Sequence, residues 1–288
     1  MEPTTAGGAQ YLRIVPLTLA SLHCYPIKSL GGFCVNETQL TDRGLMHDRR
    51  WMLVDDNGLF VSQREVGVMA CLHTSALPDG FRVTDIRDDA TLDLPWRISE
   101  GAHIAAHVWD DGVPALIGDP SWNRWFSERL GRSVRLVFMP DAAKRPTDPR
   151  FAEGLTSLSD GFPYLIISQA SLDDLNERGT AWAHAQMGTW AHVPMDRFRP
   201  NLVIAGGDSF QEDGWKEIGI GDVRFQLVKP CARCVVTTTD QLTGERGKEP
   251  LRTLATYRRD GEKVLFGMNA MGSVGGMIRV GDVVEVVG

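Results

Sequence analysis

Short apolar runs rich in β-branched and aromatic residues recur along the chain, separated by clusters of glycine, aspartate and asparagine. Such runs predict β-strands, because these side chains pack well on a pleated sheet. The strand-like runs are LRIVPLTLASLHCYPI, RRWMLVDDNGLFVSQ, FRVTDI, ATLDLPW, VRLVFM, YLIIS, NLVIAGG, VRFQLV, CVVTTTD and DVVEVV. In the second run, the residues from Asp55 to Gly58 predict a hairpin with an Asn-Gly turn.

Three segments have the apolar spacing or end signals of a helix. SWNRWFSERLG ends at Gly131 and carries its apolar side chains on one face, at Trp122, Trp125, Phe126 and Leu130. SLDDLNERG is expected to run from a Ser171 cap to Gly179, and EPLRTLATYRR to begin at Pro250. Many strands, few helices and no regular βα alternation predict a mostly β protein of the α+β class, built as a barrel or sandwich.

Composition narrows the function classes. The 288 residues carry a net charge of -7 without a Lys/Arg block, which argues against nucleic acid as a partner. No apolar run approaches the roughly 20 residues of a membrane span. Residues 1–10 lack the features of a signal peptide and are expected to form a flexible tail. Five cysteines without a secretory signal predict a reducing, cytoplasmic location.

The segment KPCARCVVTTTD places Cys231 and Cys234 three residues apart. A thioredoxin-type redox pair needs a helix at its first cysteine, whereas the run 235–239 predicts a strand. A zinc site needs four ligands, and no second CxxC exists. Two further interpretations are a pair of buried structural cysteines and a single thiolate ligand of a soft metal. The flanking cations Lys229 and Arg233 favour the thiolate.

This segment, extended to KPCARCVVTTTDQLTGERGKEPLRTLATY, resembles the signature of the MOSC domain, the C-terminal domain of molybdenum-cofactor sulfurases. Within that family it is most similar to the mitochondrial amidoxime-reducing component and its bacterial relatives. The resemblance continues in YPIKSLGG, GLMHDRRWMLVD, SDGFPYLIISQASLDDLN, RFRPNLVI, FGMNA and VGDVV, and covers nearly the whole chain after residue 10.

The resemblance implies an N-terminal MOSC-associated β-barrel domain over residues 11–125, packed against a MOSC β-barrel over residues 126–288. It implies a molybdopterin cofactor between them, with molybdenum bound by Cys234. Cys231 is then a neighbour of structural importance only. Trp51 and Phe198 are expected in the core, and Asp240 and Thr243 in a turn.

The phosphate and pterin of that cofactor need cations and backbone N–H groups. By position in the family motifs, the expected cofactor-binding residues are Lys28, Ser29, Arg49, Arg64, Asp160, Gly161, Arg199, Arg233 and Asn269. Asp160 and Gly161 would act partly through their main chain. Arg64 departs from the family pattern, because Ser62 replaces a threonine and Gly67 stands where a proline is usual.

The implied function is molybdenum-dependent reduction of N-hydroxylated compounds such as amidoximes, hydroxylamines and N-hydroxylated bases. Because the chain lacks the ferredoxin Cys-x4-Cys-x2-Cys run, a separate donor is expected, of cytochrome b5 or ferredoxin type with its own reductase. The length leaves no room for the pyridoxal-phosphate domain of a sulfurase. Two alternatives remain: a carrier of cofactor or sulfur that uses Cys234 without turnover, and a non-catalytic structural β protein.

Overall fold

This computed structural model describes residues 16–185 and 189–288. They contain nineteen β-strands and three α-helices. The strands are β1 (Thr18–Cys24), β2 (Phe33–Val35), β3 (Glu37–Thr41), β4 (Gly44–Leu45), β5 (Trp51–Val54), β6 (Leu72–Leu77), β7 (Gly80–Asp85), β8 (Ala90–Pro95), β9 (His103–Val108), β10 (Asp111–Ile117), β11 (Arg135–Phe138), β12 (Tyr164–Ser168), β13 (Leu202–Ala205), β14 (Glu217–Ile220), β15 (Val223–Arg233), β16 (Arg259–Asp260), β17 (Lys263–Gly272), β18 (Met277–Arg279) and β19 (Val284–Val286). The helices are α1 (Pro120–Leu130), α2 (Gln169–Ala185) and α3 (Leu251–Leu254). The prediction of a mostly β protein with few helices is confirmed. The expected tail, residues 1–10, lies outside the described residues.

A closed barrel forms the larger part of the fold. Its strands are hydrogen-bonded in the order β19-β14-β15-β17-β12-β13-β1, and an antiparallel bridge between Thr18 and Val283 returns the last strand to the first. Apolar side chains from all seven strands fill the interior, with Leu19, Ile166 and Phe225 fully buried. Closure removes the exposed strand edges that an open sheet would present.

A second apolar core lies beside the barrel. It is enclosed by the sheet β5-β11-β10-β9, the sheet β6-β7-β8 and helix α1. Trp51, expected in the core, is 1% exposed and stacks against Phe138 with ring centroids 4.8 Å apart. Phe198, the other expected core residue, is fully buried in a third cluster near α2.

Strand pairing crosses the predicted domain boundary at residue 125/126. Strand β11 pairs with β5, and β1 pairs with β13, so each of these two sheets takes strands from both sides. The boundary itself stays a prediction.

The sequence signals of α1 act as expected. The side chain of Asp119 accepts a hydrogen bond from the Ser121 amide at 2.8 Å, which caps the first turn. Gly131 ends the helix in the left-handed conformation at φ 64°. The Asp55–Gly58 turn is also confirmed, because the Gly58 amide donates to the Asp55 carbonyl at 3.1 Å.

The expected ends of the other two helices were wrong. The cap of α2 is Ser168, whose hydroxyl accepts from the Ser171 amide at 3.1 Å. Gly179 does not end α2, which continues to Ala185; its missing side chain instead makes room for the Trp190 ring. Helix α3 is only one turn long and starts after Pro250.

The strand expected after Cys234 is a 3-10 turn over Val235–Thr238. Two backbone bonds form it, from the Thr237 amide to the Cys234 carbonyl and from the Thr239 amide to the Val236 carbonyl, both at 3.1 Å. The hydroxyls of Thr237 and Thr238 donate to the carbonyls three residues back. These local bonds override the strand preference of the β-branched run.

Among the described residues, no helix combines the length and the apolar character that crossing a bilayer would require.

Candidate functional site

All ten residues proposed from the sequence line one open cleft, whose empty volume is about 870 Å³ with its solvent-facing mouth included. The cleft lies where the barrel meets the loops on either side of β5. The ten are Cys234, Lys28, Ser29, Arg49, Arg64, Asp160, Gly161, Arg199, Arg233 and Asn269. Their convergence from segments far apart in sequence defines the candidate site, and their individual roles stay predictions.

The two thiols face different cations. Cys234 begins the 3-10 turn, and its Sγ lies 3.2 Å from Nη2 of Arg64. Cys231 lies near the end of β15, and its Sγ lies 2.9 Å from Nη1 of Arg233. The other Arg233 nitrogen, Nη2, donates to the Phe198 carbonyl at 2.6 Å. Each thiol therefore has a guanidinium as its hydrogen-bonding neighbour.

Lys229, expected to act on the thiols, lies elsewhere. Its Nζ is 4.4 Å from the centroid of the Phe151 ring and 5.0 Å from that of Phe162. A cation over an aromatic face is itself a favourable contact. The positive charge beside the thiols therefore comes from the two arginines.

Tyr25 contacts two guanidinium groups, those of Arg49 and Arg199, which are 4.5 and 4.4 Å from its ring centroid. The sequence prediction did not include Tyr25, although it belongs to the quoted YPIKS motif. A cation over an aromatic face is a favourable contact, so the ring helps to hold both cations at one cleft.

Arg49 is fixed by the protein, whereas Arg199 is not. Arg49 donates to Asp48 at 2.6 Å, to the Asn201 side chain at 2.9 Å and to the Arg199 carbonyl at 3.1 Å. Burial disfavours its charge, but Asp48 outweighs burial and raises the pKa of Arg49. The Arg199 guanidinium makes no hydrogen bond or ion pair with any described residue. Burial, with Arg49 adding to it and Tyr25 opposing it, lowers the pKa of Arg199 to about 10.

Three lining residues adopt a left-handed backbone that non-glycine residues rarely take: Ser29 at φ 69°, Arg49 at φ 47° and Arg199 at φ 55°. The Arg49 amide donates to the Tyr25 carbonyl at 2.8 Å, and the Arg199 amide donates to the Asp196 carbonyl at 3.1 Å. Each such residue costs on the order of 1 kcal/mol. Surrounding contacts thus hold a strained backbone at the cleft, as is typical of functional sites.

Lys28 and Asp160 form an ion pair across the cleft wall. Lys28 Nζ lies 2.5 Å from Asp160 Oδ1, with the lysine side chain 7% exposed and the aspartate side chain 67% exposed. Burial, opposed by Asp160, lowers the pKa of Lys28 to about 8. Desolvation in the cleft opposes the charge of Asp160, but Lys28 outweighs it and holds the pKa of that carboxyl below its usual range.

Arg145 positions the loop that carries Asp160, and nothing in the sequence pointed to it. Its guanidinium donates to three main-chain carbonyls, those of Ser157 at 3.1 Å, Ser159 at 2.5 Å and Asp160 at 3.0 Å. It is 3% exposed and lies in a Pro- and Asp-rich segment of irregular pattern. Only tertiary structure shows that this buried cation organises the cleft.

The segment that carries Arg64 is held by the loop after the cysteines. Arg246 Nη2 donates to the carbonyls of Gln63 at 2.6 Å and Arg64 at 2.9 Å. Ser62 accepts from the Arg64 amide at 3.2 Å, so its hydroxyl supplies the bond that a threonine at that position could also make. At Gly67 an added Cβ would collide with the Gly244 carbonyl, which accounts for a glycine there.

The turn after the cysteines is built as expected. The carboxylate of Asp240 accepts from the amides of Leu242 at 2.9 Å and Thr243 at 3.0 Å. Neither Asp240 nor Thr243 lines the cleft.

Two lining residues contribute shape and an amide group. A Cβ on Gly161 would have no protein atom within 4 Å, so the main chain there is open to a ligand. Asn269, on β17, reaches only a long 3.4 Å contact with the Lys229 carbonyl. Its amide therefore keeps hydrogen-bonding capacity for a molecule in the cleft.

The cleft is chemically suited to an anion that carries a soft metal. Five cationic side chains and one carboxylate line it, in a chain of net charge -7. The buried Nε of Arg233 has no hydrogen-bond partner among the described residues. Phosphate and carbonyl groups are the natural acceptors for such donors, and a thiolate suits a soft metal. The residues present thus fit a phosphorylated metal cofactor.

Comparison with known proteins agrees with this chemistry. Residues 154–285 match the sequence model of the MOSC domain, and residues 16–133 match that of the MOSC N-terminal beta barrel domain. The chain is 33% identical to human mitochondrial amidoxime-reducing component 1, over 94% of this chain and 83% of that protein. It is 34% identical to rat mitochondrial amidoxime reducing component 2, over 92% and 82%.

A larger group of proteins matches over part of its length. The chain is 33% identical to the molybdenum cofactor sulfurase of Arabidopsis thaliana, over 86% of this chain but 32% of that protein. It therefore spans about a third of the length of the sulfurases that it matches.

Proposed function

Because this chain belongs to the MOSC-domain family, we propose that its cleft binds a molybdenum–molybdopterin cofactor and reduces N-hydroxylated compounds. The proposed substrates are amidoximes, hydroxylamines and N-hydroxylated bases. The observation that carries the proposal is the meeting of five cations and a partly exposed thiol, Cys234, in one cleft.

The lining residues fall into three groups by their proposed role. Cys234 is the ligand of the metal, and Arg64 donates a hydrogen bond to its sulfur. Lys28, Ser29, Arg49 and Arg199 hold the phosphate and the pterin, with Arg233 beside them. Gly161 and the main chain of Asp160 allow close approach of the ring system, and Asn269 offers its amide. When bound, the cofactor supplies a metal that takes up two electrons and passes them to an N–O bond.

Electrons come from a separate protein. The sequence has no Cys-x4-Cys-x2-Cys run of the kind that binds a ferredoxin cluster. A glycine-rich nicotinamide motif is also missing from the sequence. We propose a cytochrome b5-type or ferredoxin-type donor with its own reductase. The free cysteines suit a cytoplasmic setting.

The alternative in which the chain carries cofactor or sulfur on Cys234 uses the same cleft. The resemblance to a third of the sulfurase chain supports it. The two functions differ in whether the bound group turns over or leaves.

The deciding experiment uses protein made in a cofactor-competent host. Metal analysis should give about one molybdenum per chain, and reduced viologen should sustain reduction of benzamidoxime. NADPH alone should reduce nothing until a donor protein and its reductase are added. Release of the cofactor to an acceptor apoenzyme without turnover would establish the carrier instead. A protein that retains no molybdenum would be neither the reductase nor a cofactor carrier, and only the sulfur carrier would remain.

A further inference from the structure

The ion pair between Lys28 and Asp160 joins an enclosed cation to an accessible anion. The Lys28 side chain is 7% exposed and packs with its Nζ 5.2 Å from the centroid of the Phe60 ring. The Asp160 side chain is 67% exposed and reaches a second cation, with Oδ2 4.0 Å from Nη2 of Arg64. One carboxylate thus pairs with two of the five cations that line the cleft.

The two partners are held to different degrees. The Lys28 amide donates to the Trp51 carbonyl at 2.8 Å, which anchors the lysine to β5. The Asp160 backbone is anchored by Arg145 through its carbonyl, at 3.0 Å. Its side chain, in contrast, has only Lys28 and Arg64 as partners among the described residues. The carboxylate can therefore rotate away while its main chain stays in place.

We propose that Asp160 is an internal substitute for the ligand's anionic group. Its carboxylate neutralises Lys28 and Arg64 while the cleft lacks a ligand, and it yields both cations when an oxyanion such as a phosphate enters. This deepens the proposed function, because it makes Asp160 a competitor of the cofactor phosphate and leaves only its main chain as a contact.

Electrostatics explains why such a competitor is useful. Five like charges around one cleft repel one another, and burial already lowers the pKa of Lys28 to about 8. A carboxylate among them reduces this repulsion in the ligand-free state. The same carboxylate opposes any anionic ligand, so the ligand-free form gains stability while the affinity of the cleft falls.

The test is a calorimetric titration, in which inorganic pyrophosphate is added to the full chain made without cofactor. Asp160→Asn keeps the shape of the side chain and the Arg145 contacts, and should bind pyrophosphate about five- to tenfold more tightly. Asp141→Asn is the matched control. Asp141, 75% exposed, pairs at 2.8 Å with Arg50, 14% exposed, but neither residue lines the cleft. It should leave the affinity unchanged.

A double-mutant cycle ties the effect to Lys28. The gain from Asp160→Asn should shrink to less than about twofold when Lys28 is already Met. Equal or weaker binding by Asp160→Asn would overturn the proposal and make the carboxylate a ligand contact. A gain that persists fully with Lys28→Met would also overturn it.

The proposed function can fail separately. If no variant binds pyrophosphate, the competitor role is wrong, whereas molybdenum content of protein from a competent host still decides cofactor binding. If pyrophosphate responds as expected but no molybdenum is retained, Asp160 is a competitor in a cleft with another ligand.

Discussion

Nη2 of Arg64 lies 3.2 Å from Sγ of Cys234, although the two residues are 170 positions apart. The guanidinium also packs on the face of Trp109, with 4.3 Å between its Cζ and the ring centroid. Arg64 is thus held between an aromatic ring and the thiol that we assign to the metal. A metal-bound thiolate at this position would accept a charge-assisted hydrogen bond from this cation.

Arg64→Gln should therefore weaken molybdenum retention. A hydrogen bond to a charged group contributes roughly 1.5–3 kcal/mol, so binding should fall by about 10–200-fold. Metal content after dialysis measures the loss. Arg132→Gln is the control, because Arg132 pairs with Glu65 at 3.3 Å outside the cleft. Equal retention in both variants would remove Arg64 from the site.

The two cysteines should respond differently to substitution. Cys234→Ser should abolish viologen-driven reduction of benzamidoxime, because a neutral hydroxyl is a poor ligand for a soft metal. Cys231→Ser should retain measurable activity, since Arg233 keeps its second bond to the Phe198 carbonyl. A similar loss in both variants would instead favour a zinc or redox pair.

Substitution of the two arginines beside Tyr25 should separate binding from stability. Arg199→Gln removes a cation that has no partner in the described protein and whose pKa burial lowers to about 10. The free energy of unfolding should stay the same or rise by on the order of 1 kcal/mol, while molybdenum content falls.

Arg49→Gln should lower both the free energy of unfolding and the molybdenum content. It leaves Asp48, 1% exposed, without its cation, at a cost on the order of 3 kcal/mol. Denaturant unfolding and metal analysis of the two variants measure the contrast. Equal destabilisation by both substitutions would contradict the difference in their contacts.

Anion binding should weaken as the pH rises through about 8. The pKa of Lys28 is lowered to about 8, so the folded cleft loses this charge there, with Asp160, Arg49 and Arg145 as the charged groups around it. An unfolded lysine holds its proton up to about pH 10.4. Between these values the unfolded chain binds more protons, so this group makes the protein more stable as the pH rises.

Sulfate, whose charge is constant over this range, is the suitable probe. Its affinity for the wild type should fall from about pH 7 to about pH 9. The titration of Lys28 should not lower the melting temperature over the same range. Lys28→Arg, which keeps its charge, should flatten the curve. The same pH dependence in both proteins would assign the titration to another group.

Sequence motifs predicted which residues meet but not how each is held. Lys28, Asp160 and Cys234 were predicted from matched motifs, and the structure places them in one cleft. Arg145 was not predicted to be part of the site, because it contacts main-chain carbonyls and these are the same in every residue type. Tyr25 was not predicted to contact the site, because from sequence alone an aromatic residue next to a proline cannot be told from a core residue.

Local structure was predicted less well where short-range bonds compete with propensity. The run after Cys234 has the composition of a strand, yet threonine hydroxyls and backbone amides close a 3-10 turn. Gly179 has the composition of a helix end, yet it admits the ring of Trp190. In both places the deciding partner is a specific atom that a periodic pattern does not represent.

The pairing of β1 with β13 has a consequence for synthesis. Asn201 bonds to the carbonyl of His23, 178 residues earlier, and the barrel closes where Thr18 bridges to Val283. On the ribosome, β1 can pair early with β2, but the edge that pairs with β13 stays open while β13 is still being translated. Contacts this distant make folding slow and expose β1 to mispairing. The residues that line the cleft run from Lys28 to Asn269, so the cleft is complete only when nearly the whole chain has been translated.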